Sequence, residues 1–84
     1  MQFTTKYSPQ AEKFVEKLDN ALAQRLVIAI NKLELNPLPS GIRVIKGERG
    51  LFRLRVGAYR VLYQIDYEKK EIPIISIGKR EDIY

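Results

Sequence analysis

The run Leu51-Phe52-Arg53-Leu54-Arg55-Val56-Gly57-Ala58-Tyr59-Arg60-Val61-Leu62-Tyr63-Gln64-Ile65-Asp66 leaves the chain few choices. From Leu51 to Val56 apolar and basic side chains alternate, the period-two pattern of a strand with one buried and one wet face. Phe52, Leu54 and Val56 are expected inside, Arg53 and Arg55 outside. Gly57-Ala58 then offers a two-residue connection with glycine first, which a type II′ turn requires because its first central position needs φ > 0. The stretch is therefore a β-hairpin. Its turn fixes the register: Val56 faces Tyr59, Arg55 faces Arg60 and Leu54 faces Val61.

That register sets two arginines directly opposite each other, with Arg53 one pair further along the same face. Like charges in this relation are destabilising, and a cross-strand pair carries roughly 0.2–1 kcal/mol. No acid lies between Glu48 and Asp66 to offset them. Two readings stay open. One is a solvated surface on which long side chains splay apart. The other is a preformed anion site, suited to phosphate because a guanidinium presents a rigid bidentate fork.

The length of 84 residues allows one domain, 1–84, near the lower limit of what folds without staples. Cysteine is absent, which removes disulfides and thiolate ligands and favours a reducing, cytosolic setting. Histidine is absent as well, and with it the usual general base, the commonest metal ligand and every Ser-His or Cys-His arrangement. Neither a metal nor a cofactor is expected. No apolar run approaches the roughly 20 residues that cross a bilayer, and the N-terminus has no signal-peptide core, so no membrane partner is expected. The net charge of +5 is unevenly placed: residues 1–42 hold five basic and four acidic side chains, residues 43–84 ten and six. Arg43 to Arg60 alone contains six basic groups and one acid, Glu48. Lys46 and Arg49 belong to this patch, whose natural partner is a polyanion, nucleic acid before acidic protein.

Along the rest of the chain, Phe3 to Tyr7 is a short strand. Ser8 is a good N-cap and Pro9 fits the first helical position, where its missing N–H is not needed. Ala11, Phe14, Val15 and Leu18 then form an apolar stripe. Asp19-Asn20 breaks the chain, with Asn20 as the expected cap of a second helix whose stripe is Leu22, Leu26, Ala29, Ile30 and Leu33, widened by Val27. Pro37 and Pro39 end that helix. Arg43-Val44-Ile45 reads as a short strand, and Ile72 to Gly78 as a final, interior strand apolar on both faces. The element order predicted is β-α-α-β-β-β. It implies an α+β fold: an N-terminal helical hairpin on one face of a mostly antiparallel four-stranded sheet, with the arginines on the other, open face.

The run Phe52 to Tyr63, with Ile75-Ser76-Ile77-Gly78-Lys79-Arg80 and the closing Ile83-Tyr84, resembles the RelE/ParE toxin superfamily, on its RelE side. The likeness covers the whole chain in element order. It implies the toxin of a type II toxin–antitoxin pair, a ribosome-dependent endoribonuclease that cuts messenger RNA in the decoding site. Its implied partners are an acidic RelB-like antitoxin and a 70S-type ribosome carrying mRNA. It also implies functional positions: Arg53 and Arg55 before the turn, where some members have lysine, Arg60 after it, Arg80 with Lys79 beside it, and the late Tyr84.

The chemistry can be argued from the side chains themselves. RNA can be cut without a metal by its own 2′-hydroxyl, provided the protein aligns that hydroxyl, neutralises charge growing on the phosphate and manages two protons. Arg53, Arg55 and Arg60 suit the second task. Arg80 could stabilise the leaving 5′-oxygen, and Tyr84 could stack on a base or orient the 2′-hydroxyl. Arginine stays protonated, so the base must be sought among Tyr84, Lys79, Glu81 and Asp82, of which Tyr84 is favoured. The catalytic set is thus Arg55, Arg60, Arg80 and Tyr84, with Arg53, Arg55, Lys79, Lys46 and Arg49 as RNA or phosphate contacts. Two alternatives stand beside it: a ParE-like inhibitor of DNA gyrase, and a nucleic-acid-binding module without catalysis.

Overall fold

The computed structural model describes residues 2–39, 42–44 and 50–79. The predicted hairpin forms β3 (Phe52–Val56) and β4 (Tyr59–Tyr63), preceded by β1 (Thr4–Tyr7), α1 (Pro9–Glu16), α2 (Asn20–Lys32) and β2 (Arg43–Val44), and followed by β5 (Glu71–Lys79). The register is the one read from the sequence: Val56 with Tyr59, Arg55 with Arg60, Leu54 with Val61. Gly57 has φ +59 and Ala58 is not among the residues of positive φ, which matches type II′ rather than type I′.

The strands lie in the order β1-β5-β4-β3-β2. All neighbours are antiparallel except β1 and β5, which are parallel because both helices intervene between them. The expected α+β layering is therefore present; the short strand read at Arg43-Val44-Ile45 forms the edge strand β2, so the sheet has five strands where the element order β-α-α-β-β-β counted four. Glu34, after α2, holds the outer edge of β1. Its backbone oxygen accepts from Phe3 N–H at 2.8 Å, and its carboxylate accepts from Thr5 N–H at 2.9 Å and from Thr5 Oγ1 at 3.1 Å. An edge strand so occupied does not recruit a neighbour.

Ser8 caps α1 as predicted, its Oγ accepting from Ala11 N–H at 3.1 Å with Pro9 behind it. For α2 the cap is one residue earlier than expected: Asp19 accepts from Leu22 N–H at 2.9 Å, and Asn20 is already helical. A carboxylate at the positive end of the helix makes the better cap electrostatically. The helix stops at Lys32, short of Pro37.

The core fills the space between the helices and one sheet face. Ala11, Leu26, Ile30 and Leu33 meet Val61, Tyr63, Ile72, Ile74 and Ile77, all buried, with Phe14, Phe52, Leu54 and Val56 packed around them. Tyr63 is fully buried, lies 5.7 Å from the Phe52 ring, and donates its hydroxyl to Pro37 O at 2.6 Å. Tyr59 meets Phe14 edge-to-face at 5.8 Å, so both tyrosines serve the core. The pairing of β4 with β5 slips between Leu62 and Tyr63, leaving Ile75 as the extra residue of a β-bulge. The bulge explains why β5 reads as apolar on both faces. It shifts the alternation by one, so that Ile72 and Ile74 before it and Ile77 after it all face the helices.

Candidate active site

Alternation along β3 puts Arg53 and Arg55 opposite to Phe52, Leu54 and Val56, hence on the sheet face turned away from the helices. Arg60 joins them through its pairing with Arg55, and across the next boundary it faces Gly78. The register also sets Arg43 opposite Arg53. Three predicted site residues therefore share one face at the turn end of the hairpin. Among the described residues Arg53 and Arg55 form no ion pair, and no group of three or more carboxylates is placed to hold a metal ion.

This face is not the open surface that the sequence suggested. Arg55 is exposed and Arg53 half-buried, but Arg60 is only 8 % exposed, and Leu51 and Leu62 form a small buried cluster on the same side. β4, which carries Arg60, is an inner strand with neighbours on both sides, whereas β3 has only the two-residue β2 beyond it. Arg60 Nη1 donates to Tyr59 O at 3.5 Å. A guanidinium held in so little water exerts a stronger field than one in bulk solvent. The cluster therefore pairs a fixed, desolvated charge with an accessible one.

Lys79, expected beside Arg80 as an RNA or phosphate contact, closes β5. It pairs with Tyr59, on the helix side, because the bulge at Ile75 has shifted the alternation of β5. Lys46, Arg49, Arg80 and Tyr84 lie outside the described residues, as do Glu81 and Asp82.

One cation near the site escaped the sequence reading. Arg25 of α2 comes over the hairpin turn from the opposite layer, its Nη2 being 3.6 Å from the point where a Cβ on Gly57 would stand. A signal was present: α2 carries no acidic residue from Asn20 to Lys32, so Arg25 has no partner three or four positions away.

A helical hairpin on a mixed sheet, with Arg53, Arg55 and Arg60 on the sheet face turned away from the helices, defines a small basic α+β protein. The chain matches, over residues 5–84, the family described as ParE toxin of the type II toxin–antitoxin system parDE. It belongs to that family, within the RelE/ParE superfamily, and is a type II toxin. It is 33 % identical to the toxin RelG of Mycobacterium tuberculosis over 85 residues, covering all of this chain and 98 % of the relative. It is 34 % identical to a putative RelE-like toxin of Escherichia coli over 88 residues, covering all of this chain and 92 % of the relative. Its structure superposes on RelE in the archaeal RelE–RelB complex of Pyrococcus horikoshii with a TM-score of 0.83 and 27 % identity, covering 99 % of this chain and all of the other. Among the described residues no helix is long and apolar enough to cross a membrane.

Proposed function

We propose that this toxin is an endoribonuclease that cuts messenger RNA on the ribosome, and that an acidic RelB-like antitoxin holds it silent. The observation that carries the reading is the direct pairing of Arg55 with Arg60, with Arg53 beside them on the same face. A surface optimised for stability would not oppose two guanidiniums; a surface optimised for a phosphodiester would.

In the reaction the 2′-hydroxyl of one nucleotide attacks the adjacent phosphorus. A P–O bond forms, the bond to the 5′-oxygen breaks, and the products are a cyclic phosphate and a free 5′-hydroxyl. The pentavalent phosphorus gathers negative charge on its equatorial oxygens. Arg55 and Arg53, with access to solvent, grip those oxygens, and the nearly buried Arg60 supplies a charge that needs no reorganisation during the step. Arg80 stabilises the charge on the leaving 5′-oxygen, which takes up a proton from water to become the 5′-hydroxyl. Tyr84 positions the 2′-hydroxyl and, in its deprotonated form, takes its proton. Lys46 and Arg49 extend the contact along the RNA backbone. The antitoxin role is supported by relatives such as the Pyrococcus horikoshii RelE, whose structure is a complex with RelB.

The test is induced expression in a bacterium of the parent, Arg55→Gln and Tyr84→Phe, reading growth and cleavage of translated messages by primer extension. The parent is expected to arrest growth and cut; each variant is expected to cut at least tenfold more slowly. Equal cutting by all three would reject the assignment of these residues. Intact messages together with inhibition of purified gyrase would place the toxin on the gyrase side of its superfamily, and RNA binding without cutting would leave a binding module.

A further inference from the structure

The sheet face that carries the arginines changes character along its length. Gln64 and Asp66 alternate with Tyr63 and Ile65, which pack in the core, and Pro73 lies between the buried Ile72 and Ile74. The face therefore runs from Arg60 through the buried Leu62 to Gln64, and on to Asp66. At this far end Gly50, Gln64, Asp66, Glu68 and Pro73 line an open cleft of about 520 Å³, within the roughly 300–1,000 Å³ of small-molecule sites. No lysine or arginine lines it. The carboxylates of Asp66 and Glu68 repel phosphate, so the proposed chemistry leaves the cleft unused.

Its polar groups are available and firmly held. The Gln64 and Glu68 side chains form no hydrogen bond or ion pair among the described residues, and Asp66 accepts from Lys69 N–H through Oδ1 alone, at 3.0 Å. Gln64 N–H donates to Pro73 O at 3.1 Å, and Asp66 exchanges both backbone bonds with Glu71, at 2.8 and 3.1 Å. Both side chains thus stand on fixed backbone, two positions apart on one face, about 7 Å from each other. The carboxylate presents acceptors and the amide a donor. A planar group that answers both shows two adjacent N–H donors beside a carbonyl oxygen. Among the nucleobases guanine alone does so on its Watson–Crick edge: N1–H and the 2-amino group meet the carboxylate as a fork, and O6 accepts from the amide. The Pro73 ring gives the base a flat apolar floor. A free cation would leave the amide and that floor idle.

Distance gives the cleft its place on the substrate. Gln64 is four residues from Arg60, about 13 Å at the rise of a strand. Stacked nucleotides advance about 3.4 Å along their strand and extended ones roughly twice that, so the cleft meets a base about two nucleotides from the phosphate at the arginines, not one that flanks it. Single-stranded RNA can splay such a base out of its stack. We infer that the cleft at Gln64 and Asp66 is a base-reading subsite that takes a guanine about two nucleotides from the cut. The inference rests on the proposed reading of the chain as an endoribonuclease, and adds a sequence preference to it.

The experiment has two arms, each with the full-length parent, Asp66→Asn and Gln64→Glu. In one, messages randomised on both sides of the cut are translated and their cleavage is read by primer extension. In the other, fluorescence anisotropy compares short single-stranded RNAs that differ at one position, guanine against inosine, which lacks the 2-amino group. Asp66→Asn keeps an acceptor for Lys69 N–H, and with it the turn, while placing a donor where guanine needs an acceptor. The parent is expected to favour guanine at a single position two nucleotides from the cut by about fivefold or more, and to bind the guanine RNA more tightly than the inosine RNA by a similar factor. Both variants are expected to lose both preferences and to cut the other messages like the parent. No preference in the parent, or a preference kept in both variants, would overturn the inference. So would an equal fall in cleavage for all four bases in Asp66→Asn, which would make Asp66 a structural residue. A parent that cuts no message sinks the nuclease reading, while the guanine and inosine affinities still decide the cleft.

Discussion

Arg55 and Arg60 oppose each other across the hairpin, so that under the proposed function stability is set against activity at a single pair of positions. Removing the exposed member removes the repulsion and leaves the nearly buried Arg60 in place. Arg55→Gln is therefore expected to stabilise the fold by about 0.2–1 kcal/mol, the range of a cross-strand pair. In a domain of this size, about 1 kcal/mol corresponds to a rise in Tm of roughly 4–8 °C. Calorimetry should find a higher Tm in the same variant that the proposed function expects to lose cleavage; a lower Tm would mean that Arg55 is held by something other than its charge. Tyr63 is a second residue with a measurable signature. Burial, and secondarily the neighbouring Tyr67, push its phenol from 10.0 up to about 12. A phenol with a raised pKa holds its proton more tightly in the folded state, so its contribution is complete below pH 10 and fades as the pH climbs to about 12. Burial, with Glu34 nearby, pushes Tyr7 in the same direction. Stability is expected to fall between pH 10 and 12, and less steeply in Tyr63→Phe. That variant also loses the 2.6 Å bond to the part-buried Pro37 carbonyl and should cost about 0.5–1.5 kcal/mol at neutral pH, the net worth of one hydrogen bond. Denaturant titrations at pH 8 and pH 11 would read both effects.

At the scale of elements, β5 raises a question that its sequence does not answer. The strand has nine residues, yet β1 covers it only from Glu71 to Ile74. The helix start serves the remainder. Ser8 donates to Ile75 O at 2.8 Å, and the Gln10 side chain both donates to Ile77 O at 2.9 Å and accepts from Ile77 N–H at 3.0 Å. A glutamine amide thus replaces one residue of a neighbouring strand. Gln10→Ala leaves Ile77 N–H and C=O unserved, at a cost of about 1–3 kcal/mol, and opens a strand edge to another chain. Unfolding midpoints together with light scattering should show lower stability and concentration-dependent association; an unchanged, monodisperse protein would mean that water replaces the amide without loss. The tip of the hairpin is constrained differently. Gly57 adopts φ +59, which L side chains enter at a cost of about 1–2 kcal/mol, and it is where Arg25 passes closest.

For the whole molecule the relevant quantity is charge, +5 in total and concentrated after residue 42. A protein that grips single-stranded RNA through its phosphates releases counterions, and log K falls with log salt by about 0.7 per phosphate contacted. RNA affinity measured from 50 to 200 mM salt is expected to fall steeply, with Arg55→Gln reducing the slope by about 0.7. A slope unchanged by that substitution would remove Arg55 from the phosphate contacts. The antitoxin is expected to raise the Tm with its concentration, because a partner that binds only the folded toxin stabilises it by mass action.

Local rules carried much of the way from sequence to site. The alternation from Leu51 to Val56, the Gly57-Ala58 turn and the Ser8-Pro9 cap each rest on neighbours in the chain, and each appears in the fold where the sequence placed it. The opposition of Arg55 and Arg60 follows from the same local geometry. Tertiary structure decided what depends on segments distant in sequence. The bulge at Ile75, set by how β5 fits between β1 and β4, sent Lys79 to the helix side. The closed structure left Arg60 only 8 % exposed, and the packing of α2 over the hairpin brought Arg25 to the turn. Period and turn chemistry fix which residues face each other within a hairpin. Burial, and the company a charge keeps, are settled only when separate layers close upon one another.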